Sequence, residues 1–221
     1  MLAAGESLRM GGRPKALLER DGVPLVRRTV EALLAAGVRE VVTVLGYRAD
    51  EVAPALAGLP VRLRIHAGYA AGQVSSLRAG LAALPTGLEA IVVALADQPL
   101  LEARDVVALI DAFAGRGAAA AVVPWVRGER GNPVVFEAAV RDEVLAGDGG
   151  SGVRQWLDAH PGRVARFATD NVHYREDVDA PEDIERIGRQ HGCALCWPAA
   201  LAGQATAAGA SVTQGVIHHR G

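Results

Sequence analysis

Short apolar, β-branched runs alternate along this chain with amphipathic helical patterns, and no other feature narrows its fold as much. Val41 to Leu45, Val61 to Ile65, Ile91 to Leu95, Ala119 to Val123 and Val134 to Phe136 read as strands. Between them, Val26, Val30, Leu33 and Leu34 recur at helical spacing while Arg27, Arg28 and Glu31 take the other face, and Gly37 follows as a C-cap. Val106, Leu109, Ile110 and Phe113 make a second such face. A third helix is predicted to start at Pro181, with Glu182 and Asp183 in its first turn, where acidic side chains complement the helix dipole. Strands separated by single helices build βαβ units, so the expected class is α/β with a mostly parallel sheet flanked by helices.

A length of 221 residues, half of them apolar, allows one sizeable core without disulfides or metal. The periodicity runs to His191, so residues 1–191 are expected to form one domain. Residues 192–221 fade into Ala, Gly, Ser and Thr and are expected to be a poorly ordered tail. The net charge of −2 comes from 23 basic and 25 acidic side chains spread along the chain, which leaves no basic stripe for a nucleic-acid partner. No apolar run approaches the roughly 20 residues that span a bilayer, and no signal-peptide core precedes Gly5 and Glu6. The chain therefore reads as a cytoplasmic protein without a membrane partner. Cys193 and Cys196, the only cysteines, lack the paired spacing of a zinc site and are expected to be a reduced pair in the tail. His66, His160 and His173 read as surface or satisfied residues rather than ligands.

In open α/β sheets, ligands bind beyond the carboxyl ends of the strands, and the segments richest in chemistry fall there. Leu2-Ala3-Ala4-Gly5-Glu6-Ser7-Leu8-Arg9-Met10-Gly11-Gly12-Arg13-Pro14-Lys15 combines small residues, whose backbone N–H groups can approach phosphate oxygens, with the charges of Arg9, Arg13 and Lys15. It is a triphosphate cradle in composition, with neither a Walker loop nor a Gly-x-Gly-x-x-Gly fingerprint. Asp97, after the apolar run and before Gln98-Pro99, is placed to hold Mg²⁺, which typically takes one or two carboxylates and keeps several waters. Asp177 and Asp179 share one face of an extended segment, and either could supply a second ligand. Gly72-Gln73-Val74-Ser75-Ser76-Leu77-Arg78 opens a helix with hydroxyls suited to a phosphate or ribose, and Asn132 in Arg130-Gly131-Asn132-Pro133 offers a flat amide to a heterocycle.

Leu2 to Lys15, Ser75 to Gly80, Leu95 to Pro99, Arg130 to Val134 and Asp177 to Asp183 occur here in the order, and with the residues, that mark the MobA-like nucleotidyltransferases. Within that family the chain most resembles the molybdenum cofactor cytidylyltransferases. The resemblance implies a Rossmann-like fold of the nucleotide-diphospho-sugar transferase type, with Mg²⁺ as cofactor, CTP as donor and a molybdopterin-type acceptor whose phosphate attacks the α-phosphate. It implies that Leu2, Ala3, Ala4, Gly5, Ser75 and Ser76 lie near the nucleotide, and that Arg9 and Lys15 hold the triphosphate and stabilise its developing charge. Asp97 would carry the metal, with Asp179 as the better second ligand. Asn132 and Asp148, the latter in Gly147-Asp148-Gly149-Gly150, would lie on the acceptor side. The chain departs from the pattern in Glu6, in Gly-Gln-Val-Ser-Ser where Gly-Met-Ser-Ser-Ser is commoner, and in starting its first motif at Met1. From the last departure the expectation is that the natural chain begins upstream.

Three other readings stay open at this point. A guanylyltransferase of the same cofactor tends to have Leu-Ala-Gly-Gly where this chain has Leu2-Ala3-Ala4-Gly5, and the added Cβ of Ala4 would favour the smaller base. A reductase is a second, because some relatives in pigment catabolism are described as oxidoreductases on this scaffold. The third is a non-catalytic nucleotide-binding partner of a client molybdoenzyme.

Overall fold

A computed structural model describes residues 1–203. Its main strands are β1 (Leu2–Ala3), β2 (Val42–Leu45), β3 (Arg62–Ile65), β4 (Ala90–Val93), β5 (Ala121–Val126), β6 (Val134–Glu137) and β7 (Val164–Ala168). The main helices are α1 (Leu25–Ala35), α2 (Gln73–Ala83), α3 (Ala103–Ala114), α4 (Ala138–Ala146), α5 (Val153–Ala159) and α6 (Pro181–His191). β1 and β3 flank β2 in parallel, and a parallel bridge from Leu2 to Leu95 joins this group to the segment that continues β4. The far side runs β4, β6, β5, β7, with β6 antiparallel to both neighbours and β7 parallel to β5. The sheet is thus mostly parallel with one reversed strand, as the α/β reading requires.

Helices cover both faces because the apolar stripes leave them no alternative. On one face Val26, Val30 and Leu33 of α1 pack with Val106 of α3, and the predicted stripe residues Leu34 and Ile110 are half-buried beside them. On the other, Leu77 and Leu81 of α2 join Val140 and Val144 of α4 and Trp156 of α5. A fully buried side chain of this kind contributes about 1.5–3 kcal/mol, so each face is held by many such increments. β1 is only two residues long, and beside it a cavity of about 570 Å³ opens between β2 and β4, lined by Val42, Val44, Ile91 and Val93 among others.

The fold departs from expectation at the boundary placed after residue 191. Leu195–Cys196 pairs antiparallel with Glu19–Arg20, and Cys193, Leu195 and Trp197 pack against a cluster built on Met10, Leu18, Val178 and Ile187. The apolar side chains of this segment cover the end of α6 and the loop beneath it, so residues 192–203 belong to the folded body. Both cysteines are free thiols. The rest of the expected tail, residues 204–221, lies outside the described residues. No helix among the described residues is long and apolar enough to cross a membrane.

Candidate active site

The loop after β1 must reverse sharply to bring Lys15 back beside the sheet, and Gly11 and Gly12 allow this by adopting φ of 67° and 73°. The Lys15 backbone N–H donates to Ser7 Oγ at 3.1 Å, tying the two ends of the loop together. Asp97 lies just beyond the parallel bridge from Leu2 to Leu95. The N–H of Val178 donates to the Asp97 carbonyl at 2.9 Å, which sets the Asp177–Asp179 segment alongside it. Asp183 completes the arrangement from the first turn of α6, its Oδ2 accepting the N–H groups of Asp179 at 2.9 Å and Ala180 at 2.8 Å.

These constraints converge on one ammonium group. Lys15 Nζ donates to Asp97 Oδ2 at 2.9 Å and to Asp179 Oδ1 at 2.8 Å, while an Arg9 guanidinium nitrogen reaches Asp179 Oδ2 at 2.9 Å. Burial pulls the Lys15 pKa down, but the attraction of Asp97 and the hydrogen bonds to both carboxylates outweigh it, and the net shift is upward. For Asp179, burial raises the carboxyl, yet Lys15 and Arg9 bring it below the ordinary value. Asp177 behaves oppositely: burial, then repulsion from Asp179 and Asp97, raise it. Asp97 Oδ1 is buried and has no hydrogen-bond partner. This unpartnered oxygen, with the Asp179 carboxylate, is where a divalent cation would bind, although among the described residues no group of three or more His, Cys, Asp or Glu side chains is arranged to hold a metal ion.

The cluster forms part of the wall of a cavity of about 450 Å³ that also includes Leu2, Ala3, Ala4, Gly5 and Ser76. Glu6, Tyr69, Gln73 and Asp177 border it as well. Ala4 is buried and faces Gly46, where a Cβ would stand 2.9 Å from the Ala4 methyl and 2.5 Å from Tyr69 Cβ. Only glycine permits that approach. Tyr69 in turn meets Tyr47 edge-on with ring centroids 6.3 Å apart.

Not every expected residue joins this cavity. Arg13 turns away, donating to the Met10 carbonyl and stacking over the Trp197 ring at 4.5 Å. Ser75 hydrogen-bonds His66 Nε2 at 2.7 Å and faces a neighbouring opening of about 440 Å³ with Gly149 and Gly150, the glycines that follow Asp148. Asn132 lines a different pocket, of about 600 Å³, which meets the 450 Å³ cavity at Leu95 and Asp177. Asn132 and the glycines that follow Asp148 therefore border different openings. His160 and His173 are satisfied, by the Trp156 carbonyl and the Asp105 carboxylate respectively, each at 2.8 Å.

The Asn132 pocket contains residues to which the sequence patterns assigned no role. Gln98 is buried and its Nε2 donates to the carbonyls of Asn132 and Tyr174, both at 3.1 Å, locking the Asp97-Gln98-Pro99 turn to the Asn132 loop. Trp125, Arg154 and Arg175 also border this pocket. Trp125 lies toward the carboxyl end of β5, and continuing the predicted strand past Val123 would have pointed to it.

The chain matches the MobA-like NTP transferase domain over residues 1–164. It is 36% identical over 193 residues to nicotine blue oxidoreductase of Paenarthrobacter nicotinovorans, spanning 85% of this chain and 94% of that protein. It is 33% identical over 102 residues to a probable molybdenum cofactor guanylyltransferase of Natronomonas pharaonis, spanning 46% of this chain and 50% of that one. Among solved structures, Rv0371c of Mycobacterium tuberculosis H37Rv aligns with a TM-score of 0.69 at 30% identity, covering 84% of this chain and 94% of its own. The manganese complex of Rv0371c gives 0.67 at 28%, with the same coverage.

Proposed function

Because the chain belongs to the MobA-like NTP transferase family, a family of nucleotidyltransferases, we propose that it moves CMP from CTP to the phosphate of a molybdopterin-type acceptor and releases pyrophosphate. The observation that carries this reading is the Lys15 ammonium held between Asp97 and Asp179 on the wall of a cavity edged by Leu2 to Gly5. The triphosphate lies along the Gly5 to Lys15 loop. Lys15 and Arg9 bind its oxygens and stabilise the charge that grows as an acceptor phosphate oxygen bonds to the α-phosphorus and the bond to pyrophosphate breaks. Such transfers need positioning and electrostatics more than covalent help from protein. A divalent ion, when bound, neutralises phosphate charge, and Asp97 and Asp179 are the residues that would hold it; the manganese complex of the related Rv0371c supports a divalent ion of this kind.

Acceptor and nucleotide occupy adjoining spaces in this reading. The 600 Å³ pocket takes the acceptor, with the Asn132 amide and the Arg154 and Arg175 guanidinium groups facing a flat anionic molecule. Its meeting with the 450 Å³ cavity at Asp177 and Leu95 is where the acceptor phosphate reaches the nucleotide. Ala4, against Gly46 and Tyr69, narrows the base-binding side and favours cytosine over guanine.

One observation favours a second reading. The relative matched over 94% of its length is named an oxidoreductase. Against a reductase stands the context of the one Gly-x-Gly-x-x-Gly spacing found among the described residues, Gly147 to Gly152: it follows helix α4 and not a strand, so it lacks the strand-turn-helix setting of a dinucleotide fingerprint. Mixing the protein with each NTP, Mg²⁺ and molybdopterin, and separately with reduced nicotinamide nucleotides and nicotine blue, the compound in the relative's name, separates the two. Pyrophosphate release in the first mixture supports the transferase, and oxidation of the nicotinamide without pyrophosphate supports the reductase.

A further inference from the structure

We infer that Lys15, with Arg9, keeps the cation site closed in the free protein, so that a divalent ion enters it together with a triphosphate rather than before it. The inference rests on the nucleotidyl-transfer reading for the identity of that anion. The argument begins with the number of carboxylate oxygens left available. One ammonium spans both carboxylates, at 2.9 Å from Asp97 and 2.8 Å from Asp179, and Arg9 occupies the remaining oxygen of Asp179 at 2.9 Å. Of the four oxygens on these two side chains only Asp97 Oδ1 is without a partner, and it is buried.

A Mg²⁺ or Mn²⁺ ion needs direct contact with carboxylate oxygens, at about 2.0–2.1 Å for magnesium, and an ammonium already 2.9 and 2.8 Å from those oxygens repels an ion of the same sign. The ion must therefore push Lys15 away. Alone, it would break two charge-assisted hydrogen bonds on a side chain that is only 17% exposed, and would leave the ammonium without a new anion. A triphosphate removes that cost, because its oxygens accept from the displaced Lys15 and Arg9. Lys15 does not have to travel far, since its backbone stays tied to Ser7 and only its flexible stem swings. Metal and triphosphate thus help each other to bind, and each must favour the other by the same factor.

The test is Mn²⁺ binding without nucleotide, read from the electron paramagnetic resonance signal of the free ion, in wild type, Lys15→Met, Lys15→Arg and the double variant Lys15→Met/Asp97→Asn. Lys15→Met should bind Mn²⁺ at least about tenfold more tightly than wild type, within the usual range of coupling between sites. Lys15→Arg, which keeps the charge, should stay within about threefold of wild type, and the double variant should lose the gain. The Mn²⁺-dependent rise in melting temperature reads the same equilibrium and should be larger for Lys15→Met than for wild type, even if that variant is less stable without metal. Unchanged or weaker Mn²⁺ binding by Lys15→Met overturns the inference, as does a gain that survives loss of Asp97. None of these readings needs turnover. Tightened Mn²⁺ binding in a protein that releases no pyrophosphate with any NTP would leave this inference standing and remove the proposed function. Magnesium-dependent release together with an unaltered Mn²⁺ affinity would do the reverse.

Discussion

Lys15 and Asp97, 82 residues apart in sequence, meet at 2.9 Å at the carboxyl edge of the sheet. That contact joins the loop after β1 to the turn after β4, and the chemistry assigned to the protein depends on both.

Asp97→Asn keeps the side-chain shape and removes the charge that would hold the metal. Turnover measured as Mg²⁺-dependent pyrophosphate release should fall by about a hundredfold or more, the scale on which single electrostatic groups act in such sites. The fold should persist, since Val178 N–H bonds to the Asp97 backbone and not to its side chain. Release within about tenfold of wild type would remove Asp97 from the metal site.

Lys15→Ala should lower kcat more than it raises KM for the nucleotide, because charge on the transferring phosphate grows in the transition state. Steady-state kinetics at saturating acceptor separate the two constants. A change confined to KM would make Lys15 a ground-state binding group.

Ala4→Gly should narrow the preference for CTP over GTP without abolishing activity, since one methyl-sized contact is typically worth about 1–3 kcal/mol of discrimination. Gly46→Ala tests the same wall from the other side. Its new Cβ would fall 2.5 Å from Tyr69 Cβ, so overpacking should cost about 1–3 kcal/mol in a melting experiment and weaken binding of both nucleotides. An unchanged kcat/KM ratio in Ala4→Gly would move base selection elsewhere on the cavity wall.

Asp183 is held below the ordinary carboxyl range: burial raises it, but the N–H groups of Asp179 and Ala180 and the Arg186 guanidinium outweigh that. A depressed folded-state pKa gives stability that is present above the unfolded value of about 3.9 and is lost as pH falls through the folded value. Asp183→Asn should therefore melt below wild type at neutral pH, by about 0.5–2 kcal/mol as for other caps, and the gap should close on acidification below pH 4. A gap that stays constant down to pH 2 would mean that the carboxylate charge is not what Asp183 contributes.

Arg9, Lys15, Asp97 and the Asp177–Asp179 segment stood out in the sequence for a physical reason, whereas the choice of Asp179 over Asp177 came from the resemblance. Each residue follows an apolar strand run or precedes a helix, and a parallel sheet delivers all such points to one edge. Ser75 was not legible, because a hydroxyl at a helix start can face a ligand or a neighbour, and here His66, nine residues upstream, takes it. β7 carries Arg166 within a short edge strand, and α4 begins directly after β6 without a cap residue, so neither announced itself by pattern. Leu195 and Trp197 looked like part of a low-complexity tail. Their role appears only once Glu19–Arg20 is seen to offer a strand to pair with.

The central claim is nucleotidyl transfer, and it is tested most directly by incubating the protein with Mg²⁺, molybdopterin and CTP radiolabelled at its α-phosphate. The account predicts that the label moves into the acceptor in step with pyrophosphate release, and that both stop in Asp97→Asn. Label that stays in CTP with wild-type protein, also when GTP replaces CTP, would contradict it.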